Sequence, residues 1–117
     1  MIVRKDVKYQ QYEEVWLEVG RYGNGRIAIY LTHKSRGARA REVLAKCTVN
    51  LADQECYDGE VWVKSWAENE GMAEWLIENG ITQQRPMAYA TSGYVPVLRY
   101  KLAEKFIGEL SACKDTE

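Results

Sequence analysis

A chain of 117 residues, 46% of them hydrophobic, with a formal charge of −1, fits one folded domain and is too apolar to remain disordered. It has no apolar run near about 18 residues, and its charged start, MIVRKDVKYQ, has no apolar h-region, which argues against a membrane span and a signal peptide. Near-neutrality, with no helical segment carrying a basic stripe, argues against sequence-specific DNA binding.

Residues 1–10 show no clean pattern and are expected to fray, as is the tail 112–117. From Tyr12 to Val19 the residues alternate, with Val15, Leu17 and Val19 on one side and Glu14, Trp16 and Glu18 on the other, as in a half-buried strand. RYGNGR supplies a turn, with Asn24-Gly25 offering positive φ, and Arg26–Thr32 resumes the alternation through Ile27, Ile29 and Leu31. Tyr12–Thr32 therefore reads as a β-hairpin. Arg41–Leu51 reads as a third strand with Val43, Ala45, Cys47, Val49 and Leu51 on one face. ADQECYDG is rich in turn formers, and Glu60–Trp66 follows as a short fourth strand.

Ser65 and Glu68 have capping-box spacing ahead of a helix over Glu68–Asn79, whose stripe is Met72, Trp75 and Leu76. Gly80 suits the left-handed position that ends a helix, with Ile81 as the following apolar contact. TQQRP reads as a loop. Met87–Leu102 reads as extended and interrupted at Gly93, and Pro96 assigns it to a sheet edge or bulge. Ala103–Ala112 closes the chain as a helix with Phe106, Ile107 and Leu110 on its apolar stripe. The expected fold is α+β: one antiparallel meander of four to five strands, with two helices packed on it.

Catalytic constellations are absent from the sequence pattern. His33 is the single histidine, and no motif ties a nucleophile to it. Glu70, Glu74 and Glu78 recur every four residues, the spacing of a solvated helix face. GRYGNGR has no GxxxxGK[ST] pattern, so its glycines serve the hairpin. Cys47, Cys56 and Cys113 are odd in number and form no CxxC pair, which points to reduced thiols in a cytoplasm and to no zinc site. A non-enzymatic protein without cofactor or metal is expected.

The distinctive feature is THKSRGARAR, Thr32–Arg41, which holds Lys34, Arg36, Arg39 and Arg41 with no acid between them. The chain carries −1 with those four cations and would carry −5 without them, so they form a local patch. Arginine forks match phosphate or carboxylate in two-point contacts. With Arg26 just upstream and Tyr30 on the outer face, the stretch makes a phosphate-plus-aromatic grouping suited to a nucleotide. The bland alternative is a solvated loop tip. A second surface comes from ATSGYVPVLRYK. If Val95 and Val97 face the core, then Tyr94, Pro96, Leu98 and Tyr100 form an exposed apolar face, suited to a subunit interface and a homo-oligomer.

The segments GRIAIYL, TVNL, ENEG, WLIENGI and SGYVPV, spread over Tyr22–Leu98, resemble a small uncharacterised domain family of bacterial phages and mobile elements. The resemblance implies a setting rather than a site: small phage proteins of this kind are often anti-defence factors acting in the host bacterial cytoplasm. Some resemble sponges that sequester a cyclic nucleotide signal. The alternative is an anti-CRISPR-type inhibitor that binds a Cas effector through its aromatic surfaces. The expected partner is thus an anionic nucleotide ligand or a host defence protein.

Overall fold

The computed structural model describes residues 3–10, 12–33, 43–93 and 95–113. It contains two four-stranded antiparallel sheets and two α-helices, an α+β arrangement. The first sheet has the order β1 (Val3–Tyr9), β2 (Tyr12–Arg21), β3 (Ile27–His33), β4 (Val43–Lys46). The second has the order β5 (Thr48–Val49), β6 (Glu60–Val63), β8 (Val95–Leu102), β7 (Thr82–Ser92). Helices α1 (Met72–Glu78) and α2 (Glu104–Cys113) complete the fold. A single meander is therefore corrected to two sheets.

The central hairpin forms as its alternation dictates. Leu17 pairs with Leu31 and Val19 with Ile29, all on the buried face, and Gly25 adopts φ +88° in the turn. Within the N-terminal segment expected to fray, Val3–Tyr9 form β1, with Lys5 opposite Leu17 and Val7 opposite Val15. Lys5 therefore interrupts the apolar face of β1. It sits at the rim of the core with its ammonium 5.9 Å from the Phe106 ring centroid and 2.8 Å from Glu109 Oε1 of α2. The β1–β2 turn uses Gln10 at φ +53°, a residue with no turn signature.

The expected third strand divides at Cys47. Its N–H donates to Ile29 O (2.9 Å) in the first sheet, and its carbonyl accepts from Lys64 N (2.9 Å) beyond the end of β6. Changing sheets also changes the phase of the alternation. Ala45 and Cys47 are buried, but so is Thr48, while Val49 and Leu51 are only half-buried. Thr48 Oγ1 is satisfied by Ile29 N–H (3.1 Å) and by the Tyr22 hydroxyl (2.8 Å).

The inner faces enclose one core of Val15, Leu17, Ile29, Leu31, Val61 and Val63, closed by Met72 and Leu76 of α1 and Phe106 of α2. Full burial of such side chains contributes about 1.5–3 kcal/mol each. The helix expected from Glu68 starts later, at Met72. A 3₁₀ turn (Ala67–Asn69) and Gly71 at φ +87° precede it, and Ser65 Oγ accepts from Ala73 N–H (3.1 Å) in place of a capping box. Its end matches expectation: Gly80 at φ +73° donates to Ile77 O, and Ile81 donates to Leu76 O.

TQQRP, expected as a loop, belongs to β7. Pairing passes from Thr82–Leu102 directly to Pro86–Tyr100, so Gln83, Gln84 and Arg85 bulge out. Strand β8, which contains Pro96, is central rather than an edge. Proline is tolerated there because the pairing with β6 stops at Leu98, two residues short of it.

Candidate functional site

Lys34, Arg36, Arg39 and Arg41 lie outside the described residues, as does Tyr94. Thr32 and Val43, described residues on either side of the basic arginines, pair in the first sheet. Arg26 immediately precedes β3, whose seven residues span roughly 23 Å at the rise of an extended strand. Tyr30 stands midway on the outer face, flanked across the strands by Glu18 and Lys46. Glu18 is 4% exposed and accepts from Thr32 Oγ1 (2.7 Å). His33 is the last residue of β3, half-buried and edge-on to Tyr12 at 6.1 Å.

The expected apolar interface is largely consumed by the fold. Tyr100 is 5% exposed and lies in the core, and Leu98 packs against the same core; of that set Pro96 is exposed. Val97, on the opposite face of β8, is also buried, and on that face the segment 50–59 reaches over Trp62 and Arg99.

That cover builds a site to which Arg26 contributes a described side chain. Arg26 reaches across from the β2–β3 turn and donates to Leu51 O (2.6 Å) and Gln54 O (2.5 Å). Asn24 Nδ2 donates to Asn50 Oδ1 (3.1 Å). From the sheet side, Arg99 Nη1 and Trp62 Nε1 both donate to Glu55 O, at 3.0 and 3.1 Å. The Arg99 guanidinium lies 5.3 Å from the Tyr57 ring and 5.6 Å from the Trp62 ring. Its Nε is 3.0 Å from Glu60 Oε1 but is not aligned for a hydrogen bond, so this contact is an ion pair of two well-buried side chains. Glu60 Oε1 does accept from Tyr57 N–H (3.1 Å).

Between the turn and this clamped segment runs an open groove of about 260 Å³. Arg21, Asn24 and Arg26 form one wall; Tyr57, Asp58 and Glu60 form the other. Arg21 is exposed, with Nη1 on Gly25 O (2.8 Å). Tyr57 is 60% exposed, and its hydroxyl donates to Glu55 Oε2 (3.1 Å). That hydrogen bond to a carboxylate, with the carboxylate's charge, holds the phenol above its ordinary pKa, so it stays protonated. Cys56 also lines the groove. Burial raises its thiol pKa, with the Glu60 charge adding and Arg26 and Arg99 opposing, and Sγ–H donates to Glu60 O (3.2 Å). A protonated, hydrogen-bonded thiol is a poor nucleophile.

The expected grouping of Arg26 with the basic stretch lies outside the described residues; the sequence reads CYDG only as a turn, and the structure brings its Tyr57 to the same groove as Arg26. Aspartate and glycine did mark the turn. The exposed tyrosine beside them was the available sign that the turn also offers a stacking surface. Among the described residues, no group of three His, Cys, Asp or Glu side chains converges as metal ligands, and no helix is long and apolar enough to cross a membrane. Comparison with protein-family models, with characterised proteins and with solved structures returns no match.

Proposed function

We propose that this chain is a non-enzymatic binding protein of the anti-defence kind, which captures a phosphate-bearing, nucleotide-like ligand in the groove beside the β2–β3 turn. One observation supports the reading: Arg21, Arg26 and the exposed Tyr57 line the same groove. Guanidinium forks suit phosphate oxygens, and an exposed aromatic face suits a planar base. Glu60 does not repel such an anion strongly, because Arg99 balances its charge. The phage and mobile-element resemblance supplies the setting, a host bacterial cytoplasm in which a nucleotide signal would be sequestered. The alternative is inhibition of a Cas effector through aromatic surfaces, for which Tyr57 and Tyr89 are exposed while Tyr100 serves the core.

Isothermal titration against a panel of cyclic mono- and dinucleotides tests the reading. Binding by the wild type is expected, with Arg21→Ala and Tyr57→Ala each weakening it about tenfold or more, as loss of a charge-assisted contact or a stacked base implies. Arg26 is the poorer probe because it also anchors the 50–59 segment. No binding by the folded chain to any member of the panel would sink the proposal. Loss on Arg36→Ala, Arg39→Ala and Arg41→Ala together, with Arg21→Ala silent, would move the site to the basic stretch.

A further inference from the structure

Each sheet has one outer edge formed by a long strand, and the two edges are treated differently. Strand β1 carries Arg4, Lys5, Asp6 and Lys8 among its seven residues, charges of the kind that discourage strand addition. Strand β7 edges the second sheet with eleven residues, and from Pro86 through Leu98 the sequence contains no charge at all. Its first half is nonetheless blunted. Gln83–Arg85 bulge, and Pro86 has no N–H to offer. Its second half is not. Ala88–Ser92 pair with Arg99–Val95 residue for residue, so alternate residues direct N–H and C=O groups away from β8. The exposed large apolar side chains of the strand, Met87 at 53% and Tyr89 at 77%, fall in or beside this regular stretch.

We infer that Ala88–Ser92 is a dimerisation edge, and that its occupant is β7 of a second copy of this chain, paired antiparallel about a two-fold axis at Ala90. A strand edge is completed by another strand, and this one is complementary to itself. With the axis at Ala90, Tyr89 lies opposite the second copy's Thr91 and Ala88 opposite its Ser92. No like charges meet. Tyr89 and Thr91 share a sheet face, so the two Tyr89 rings become diagonal neighbours, about 7–8 Å apart at Cα and within aromatic reach. The absence of charge also leaves nothing by which a charged peptide strand would be selected. The product is a continuous eight-stranded sheet, four strands from each copy, and it relocates the oligomer surface from β8 to β7.

Sedimentation velocity on the full chain, with and without the pair Tyr89→Lys and Thr91→Lys, tests this. Both side chains are exposed, so the folded midpoint should hold in circular dichroism while the dimer becomes a monomer. A second variant fixes the register. Ala90→Cys places its own copies directly opposite, at a Cβ separation near 4.5–5.5 Å, and mild oxidation should give a reducible dimer that Lys8→Cys on the β1 edge does not. A wild-type monomer at high micromolar concentration would overturn the inference. So would a dimer indifferent to the lysine pair, a cross-link equally strong from β1, or a β7 edge occupied only by a strand from a different protein.

Discussion

Asn69 ties the place where the chain changes sheets, and its replacement reports directly on that joint. The residue is 1% exposed, and its Nδ2 donates to Lys46 O (2.5 Å) and Lys64 O (3.0 Å), the carbonyls at the ends of β4 and β6. Two carbonyl partners fix the amide's orientation and leave Oδ1 buried without a partner. Asn69→Ala removes two hydrogen bonds, each contributing about 1 kcal/mol net, and orphans buried carbonyls at about 1–3 kcal/mol, while relieving one unpaired oxygen. The expected loss is about 2–3 kcal/mol, roughly 10 °C in a chain of 117 residues. Asn69→Asp is expected to do worse at pH 7, because a carboxylate would then face two carbonyl oxygens. That site disfavours the charged form, so the folded-state pKa of the new acid lies above its unfolded value. The folded state then binds more protons than the unfolded one, and the deficit relative to wild type should shrink as pH falls toward 4. Urea unfolding of the three proteins at pH 7 and pH 4.5 reads both effects. Alanine within about 0.5 kcal/mol of wild type, or aspartate no worse than alanine at pH 7, would refute the assignment of Asn69 as the tie between the sheets.

Arg99→Ala should cost about 3–5 kcal/mol, because it strands the buried Glu60 carboxylate and removes the guanidinium between Tyr57 and Trp62. Arg99→Lys should recover little, since an ammonium cannot meet Glu55 O, Glu60 and both rings together; faster hydrogen exchange across 50–59 would accompany either change, and an unaltered exchange profile would count against the clamp. Cys47 is fully buried, and burial pushes its thiol from 9.0 up to about 12. The native protein should therefore leave Cys47 unalkylated at pH 8, as mass mapping of iodoacetamide adducts would show. The same shift stabilises the fold fully below pH 9 and is lost as pH rises toward 12, because the unfolded thiol ionises first.

How far the fold could be read depended on whether a segment's signal was local. The β2–β3 hairpin was legible because its apolar alternation and its Asn-Gly turn are both local facts, and the end of α1 because Gly80-Ile81 completes its cap within the helix's own last turn. Strand β1 was not legible. A lysine occupies an inward position that is acceptable only because Glu109 and the Phe106 ring, from the far end of the chain, receive it. The first half of β7, Thr82–Pro86, was hidden for the opposite reason: an exposed, bulged edge requires no alternation.

The same distinction holds for the site. Sequence alone determined that positive charge gathers between two strands, that Arg26 belongs to a turn, and that aromatic residues with polar tips are abundant, because these are properties of adjacent residues. Only the tertiary structure decided that Arg26 shares a groove with Tyr57, that Tyr100 is core, and that β7 is a sheet edge. Each of these depends on which sheet a strand joins. That choice is made at Cys47, where one residue's N–H and C=O serve different sheets and the phase of the alternation changes with them.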